Sequence, residues 1–261
     1  MSRLKRWIKT TPLYPTLKAI RDATRTKSRV DRIERRDTEQ MAKILPRLLP
    51  VGGNAIDIGA HRGDILEQFL RGSPTGQHIA VEAIPELAEH LRITFPTVEV
   101  HSAAAGDRPG TTEFQWVVSN PAFSGLKRRD DLGAGESVRP LSVRVVRIDD
   151  LVPKGRPVAV IKIDVEGAEL GVLRGAQRVL NENRPWIFFE HGSAATQYGT
   201  TTADIAAEFA RHALAVWLMG DWLAGRPPLS TEAFAAAAAT GDFWNFLAGP
   251  HRLPPRASVP S

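Results

Sequence analysis

The 261-residue chain contains no cysteine. Disulfides, thiolate metal sites and cysteine nucleophiles are therefore excluded, and nothing in the chain calls for an oxidising compartment. No stretch is apolar for long enough to span a bilayer, and the first residues lack the continuous apolar run of a secretory signal. Together these absences lead us to expect a cytoplasmic enzyme.

What is present fits one sizeable α/β core with appendages, since 43% of the residues are hydrophobic and 24% charged. The net charge of +5 is unevenly spread. Residues 1–36 hold 12 Lys and Arg against 3 Asp and Glu, a net +9, which leaves −4 for residues 37–261. Pro12, Pro15, Pro46 and Pro50 interrupt helices, so residues 1–50 read as a basic helical extension, with a short helix over 3–9 and a longer one over 17–45. Leu4, Trp7 and Ile8 lie at helical spacing among Arg3, Lys5, Arg6 and Lys9. That small amphipathic patch suits a weak peripheral membrane contact through residues 1–36, with a solvated helix and a nucleic-acid contact as the alternatives.

From residue 54 onward, apolar runs over 55–58, 78–82 and 98–102 alternate with amphipathic stretches over 64–70 and 86–93, the βαβ pattern of a parallel sheet. Residues 106–155 break the rhythm with two β-branched runs, 112–118 and 141–148, which read as an inserted hairpin or a pair of edge strands. The alternation resumes with a strand over 158–164, a helix over 168–181 and a strand over 186–190. Two more strands follow at 213–219 and 243–248, with helices near 204–212 and 231–239. The expectation is a Rossmann-like domain over residues 51–250, with a seven-stranded, mostly parallel sheet and helices on both faces. The tail over 251–261, with three prolines and no periodicity, reads as flexible.

Asp57-Ile58-Gly59-Ala60-His61-Arg62-Gly63 closes the first strand and opens a helix. Gly59 lets the backbone turn sharply near a ligand and Gly63 permits close passage at the helix start. Free N–H groups at that helix start suit an anionic end, while Asp57 suits a cationic one. S-adenosylmethionine carries both. A dinucleotide fingerprint would need glycine where His61 stands, which disfavours a nicotinamide cofactor. Glu82, ending the second strand, is placed to accept both ribose hydroxyls of a nucleoside, or else to provide negative charge ahead of the helix begun by Pro85 and Glu86.

The segment Ile161-Lys162-Ile163-Asp164-Val165-Glu166-Gly167-Ala168-Glu169 puts Lys162, Asp164 and Glu166 on one face of a central strand. A lysine there needs a partner, and Asp164 or Glu190 is available. Because ligands sit beyond the carboxyl ends of parallel strands, Asp164, Glu166, Glu190 and His191 should converge near the first turn.

On these segments, together with Val81-Glu82-Ala83-Ile84-Pro85, Ala104-Ala105-Gly106-Asp107, Leu173-Arg174-Gly175-Ala176 and Phe189-Glu190, the chain resembles the FkbM-type methyltransferase family over about residues 54–192. The resemblance implies a class I methyltransferase domain, S-adenosylmethionine as donor, and O-methylation of a hydroxyl on a sugar or glycan, a polyketide or a related metabolite. It also places Ala60, His61, Ala83, Ala104 and Asp164 beside Asp57, Gly59, Gly63 and Glu82 among the cofactor-binding positions. His61 and Ala83-Ile84 depart from the family's more usual Asn and Pro, which bears on local cofactor contacts rather than on the class.

For an alcohol acceptor, a base titrating near neutrality is best placed, which favours His191, with Glu166 and Asp164 as alternatives and Lys162 and Glu190 in the same network. No metal site is expected, since no short His/Asp spacing demands one. Trp222, in a turn bounded by Gly and Asp, offers a flat face for a sugar. The rival readings are a nucleic-acid methyltransferase and a non-catalytic nucleoside-binding protein on the same fold. The first is disfavoured because Asn120-Pro121-Ala122-Phe123 lacks a second proline and precedes the central strand, so no nucleic-acid partner is expected.

Overall fold

The computed structural model describes residues 29–127 and 136–251. The amphipathic patch at 3–9, most of the basic segment and nearly all of the tail lie outside the described residues. The chain forms two compact units, Met1–Arg36 and Asp37–Ser261. Among the described residues no helix is long and apolar enough to cross a membrane.

The second unit is built on a seven-stranded sheet. Its strands are β1 (Ala55–Ile58), β2 (Ile79–Glu82), β3 (Glu99–Ser102), β7 (Val160–Ile163), β8 (Trp186–Glu190), β9 (Leu214–Leu218) and β10 (Asn245–Pro250). They lie in the order β3-β2-β1-β7-β8-β10-β9, and all pair in parallel except β10, which is antiparallel to both neighbours. Apart from Asp57, Glu82 and Glu190, strands β1, β2 and β8 are apolar, and they are buried up to the last residue of β8, as helices covering both faces require.

Strand alternation sorts the core into two layers. Ile56, Ile58, Ile161, Ile163, Ile187 and Phe189 pack with residues of α5 (Glu169–Arg174), α6 (Gln177–Asn183), α7 (Thr202–Arg211) and α9 (Thr231–Ala239). Ala55, Val160, Trp186 and Phe188 face the other way, towards α1 (Arg29–Leu48), α2 (Asp64–Gly72), α3 (Pro85–Thr94) and α8 (Met219–Leu223).

Two local expectations are corrected. Met41, Ile44, Leu45 and Leu48 of α1 are buried in the core of the second unit. Their burial carries α1 through Pro46 to Leu48, outweighing the one backbone bond a helical proline forfeits. The helix expected over 168–181 is two helices, α5 and α6, divided at Gly175. A Cβ there would lie 2.2 Å from the carbonyl oxygen of Gly106, so the chain breaks where another backbone crosses it.

The irregular region forms its own sheet. β4 (Ala104–Ala105), β5 (Gly110–Val117) and β6 (Val138–Val146) are arranged β4-β6-β5, with β5 and β6 antiparallel, rather than lying as edge strands on the main sheet. A short helix, α4 (Ile148–Leu151), returns the chain towards β7.

His78 sets where β1 begins. It is 1% exposed, its Nδ1 accepts the Ala55 N–H at 3.2 Å, and its Nε2 donates to the Ser73 carbonyl at 2.8 Å. That pairing requires a neutral ring, and burial holds its pKa below 6.5. A base whose folded pKa is depressed binds its proton more readily when unfolded, so its contribution is present above about 6.5 and fades as pH falls. His78→Ala should cost about 1–3 kcal/mol through the orphaned Ala55 N–H alone. Denaturant unfolding from pH 7.5 to 5 should show wild type losing stability more steeply than the variant.

Candidate functional site

The carboxyl end of β1 turns at Gly59, where φ is +75° and a Cβ would lie 1.9 Å from the carbonyl oxygen of Asp164. Only glycine permits that approach of two backbones. Gly63, at φ +91°, precedes α2, and a Cβ there would meet Phe95 Cε2 at 2.3 Å. Between them His61 holds a left-handed conformation at φ +49°. Its half-buried ring has an Nε2 without a protein partner, and burial lowers its pKa.

Glu82 ties this turn down from β2. One carboxylate oxygen accepts the His61 N–H and the other the Ile84 N–H, each at 2.8 Å. The side chain is buried, and the desolvation raises its pKa against those two bonds. Each oxygen retains a lone pair for a further donor.

Lys162 occupies the middle of the site. Its ammonium donates to the Gly59 carbonyl at 2.9 Å and lies 3.2 Å from Asp164 Oδ2 and 3.7 Å from Asp57 Oδ1. Burial pulls its pKa down, but Asp164 and Asp57 outweigh burial and hold it above the ordinary lysine value. Asp57 is wholly buried, and neither of its carboxylate oxygens has a hydrogen-bond partner among the described residues. Burial raises its pKa and Lys162 opposes the rise. Glu190 hydrogen-bonds Asp164, and burial followed by the Asp164 charge pushes it well above the ordinary carboxylate range. The access differs: the Asp164 side chain is 37% exposed, whereas Lys162 is 12% and Asp57 1% exposed.

Past β7, Glu166 and Gly167 adopt consecutive left-handed conformations, φ +55° and +101°. A Cβ at Gly167 would lie 2.5 Å from the carbonyl oxygen of Ala194, so this loop rests on the 3-10 segment Ser193–Tyr198. Glu166 approaches Gly125, beyond β5. Glu169, a residue not singled out for the site from sequence, is 1% exposed and binds the loop backbone. The signal was there: an acid at the head of a helix whose neighbours Leu170, Val172 and Leu173 are all core.

Asp57, Lys162, Asp164 and Glu190 thus converge, with Gly59, His61 and Glu82 adjoining. His191 does not join them. Strand alternation turns it to the opposite layer, where its ring lies 5.4 Å from Phe234 and its Nε2 is 2.9 Å from Thr202 Oγ1. It is 4% exposed, with pKa lowered by burial, which removes the ground for choosing it as base. Ala60 is buried in the α1/α2 layer, while Ala104 packs in a third cluster with partly buried Ala83 beside it. Trp222 is 4% exposed and edge-on to Trp186 at 5.6 Å, so it is core rather than a sugar platform. Among the described residues no group of three or more His, Asp or Glu is arranged to hold a metal ion.

A family model described as the methyltransferase FkbM domain matches residues 57–214. No curated protein matches the chain. Among solved structures, it is similar to the FkbM methyltransferase of Methylobacillus flagellatus KT at 16% identity and TM-score 0.46, over 76% of this chain and 43% of that one. It is also similar to a precorrin-6y C5,15-methyltransferase of Geobacter metallireducens GS-15, at 13% identity and TM-score 0.40, over 69% and 72% of the two chains. An O-methyltransferase of Bacillus cereus, solved with SAH, shows 12% identity and TM-score 0.41 over 90% and 96%. The chain therefore spans less than half the length of the Methylobacillus protein.

Removing the Lys162 cation from amid these carboxylates should be costly. Lys162→Met leaves Asp57 buried without a counter-charge, a loss of about 3–5 kcal/mol. Without the ammonium, the acids are driven to higher pKa, so protonation relieves the penalty. Unfolding curves should show the gap between wild type and variant shrinking as pH is lowered from 8 to 5.

Proposed function

The chain belongs to the FkbM methyltransferase family, and from that premise we propose that it transfers a methyl group from S-adenosylmethionine to a hydroxyl of a sugar or glycan, a polyketide or a related small metabolite. The observation that carries the reading is the buried Asp57 carboxylate, whose two oxygens have no hydrogen-bond partner among the described residues, the Lys162 ammonium standing off at 3.7 Å, beside a turn that admits only glycine at residue 59. A buried carboxylate of that kind is costly unless a donor completes it. The ammonium of S-adenosylmethionine fits that need. The absence of cysteine accords with a cytoplasmic setting for the same reaction.

When bound, the cofactor supplies an electrophilic methyl group on a sulfonium centre. The residues of the chain would do the rest. Asp57 would hold the ammonium, the Gly59–Gly63 turn would allow close backbone approach, and Glu82 would accept ribose hydroxyls on the lone pairs its two backbone bonds leave open. Asp164 is the acid of the central cluster with open access and accepts the proton of the acceptor hydroxyl as that oxygen is alkylated. Glu190, whose carboxyl burial pushes well above the ordinary carboxylate range, lies against Asp164 and orients it, and Lys162 anchors it from the other side. Glu166, on the strained loop beyond, lies at the acceptor side. Much of the acceleration would come from holding acceptor oxygen and methyl group in line.

Calorimetry with S-adenosylmethionine tests the cofactor half. Wild type should bind, and Glu82→Ala and Asp57→Asn should each weaken binding by about 1.5–3 kcal/mol, roughly ten- to hundred-fold. A folded wild type that does not bind would reject the reading. For the acceptor half, Asp164→Asn should slow methyl transfer at saturating cofactor by about 10²–10⁴-fold with any acceptor that wild type methylates. Unchanged turnover would remove Asp164 as the proton acceptor.

A further inference from the structure

Of the buried acids that have no role in that scheme, Glu169 borders the site. Glu169 opens α5 and is 1% exposed, and its Oε1 accepts the Gly167 N–H at 3.1 Å and the Val165 N–H at 3.3 Å. It therefore reaches back over a loop that carries two left-handed residues in a row. A non-glycine residue in that conformation costs roughly 1–2 kcal/mol, so Glu166 stays there only because the surroundings hold it. On one side Gly167 is pressed against the Ala194 carbonyl. On the other, the Glu169 carboxyl collects the two N–H groups that the turn leaves pointing inward.

This loop is in direct contact with the cofactor side of the site. Asp164 immediately precedes it, the Asp164 carbonyl lies against Gly59 Cα, and Lys162 bonds both the Asp164 carboxylate and the Gly59 carbonyl. A displacement of the loop must therefore move Gly59 or open that contact. A glutamine would accept the same N–H groups through its amide oxygen without the cost of a buried charge. The acid makes the loop sensitive to protons.

We propose that Glu169 is a positioning residue for methyl transfer, a proton-sensitive clamp that holds the loop 165–168 and, through it, Asp164 and the Gly59 turn in binding geometry. The inference rests on the cofactor reading given above. The groups that face Glu169 electrostatically are Asp164 from its own loop, Glu190 from β8 and Tyr198 from the 3-10 segment. Burial, with Asp164 adding to it, pushes the Glu169 carboxyl up to about 7, against its three backbone hydrogen bonds. Because the carboxyl holds its proton more tightly in the clamped loop than it would in water, its ionisation favours release, so the clamp loosens as pH rises through neutrality.

The test uses the full chain, with S-adenosylhomocysteine as probe, in wild type, Glu169→Gln and Glu169→Ala. Two quantities are measured between pH 6 and 8.5: affinity by calorimetry, and hydrogen exchange at the Val165 and Gly167 amides. In wild type, affinity should fall several-fold across neutrality. Glu169→Gln should keep amide protection and bind within about threefold of wild type at pH 6, but without that fall. Glu169→Ala should lose tenfold or more in both affinity and protection. A pH profile in Glu169→Gln that matches wild type would overturn the proposal even if the alanine variant fails to fold. Equal amide protection in a folded alanine variant would overturn it as well. If wild type binds no probe, the cofactor reading fails, and the exchange data still decide separately whether Glu169 holds the loop.

Discussion

A single ammonium group placed in the middle of a parallel sheet organises everything around it. Lys162 lies on a central strand whose neighbours are isoleucines, where an unpaired charge would be prohibitive. It is tolerated because Asp164, Asp57 and the Gly59 carbonyl surround it. Those partners come from two different strands and the turn between β1 and α2, so satisfying one charge fixes the relative placement of both loops at the ligand edge of the sheet.

The same requirement explains the density of unusual backbone here. Gly59, His61, Gly63, Glu166 and Gly167 all have positive φ, and all lie within the two loops that Lys162 joins. Two backbones meet where Gly59 faces the Asp164 carbonyl, leaving no room for a side chain. Conformational strain is thus concentrated where a ligand must come close to the main chain, and it is balanced by buried carboxylates, Glu82 on one loop and Glu169 on the other, each accepting two backbone N–H groups.

The acids of the site divide by environment rather than by type. Asp57, Glu82, Glu169 and Glu190 are all pushed upward, with desolvation the largest cause in each. Around Lys162 the contrast is in access as well: the Asp164 side chain is open to solvent, whereas that of Asp57 is buried.

Much of this was readable from the chain alone. Strand and helix periodicities depend on local alternation of apolar residues, so the seven strands and the sheet class followed from them, as did the glycine turn at Asp57 to Gly63 and the acid at Glu82. The lysine in an apolar strand announced its need for a partner, though not that Asp57 would be one. What local pattern does not carry is which distant backbone crosses a given residue and which way a side chain turns at the end of a strand. Gly175 breaks a helix because Gly106 passes against it. Helix α1 runs past Pro46 because its apolar stripe finds a core. His191 follows Glu190 directly, yet the period of two sends one to the acid cluster and the other to Phe234 and Thr202. The sequence by itself determined the elements, the ligand edge and the charged residue that edge is built around. Only the tertiary structure decided which acids share that charge and which histidine is left out, because those choices depend on burial and on contacts between residues about a hundred positions apart.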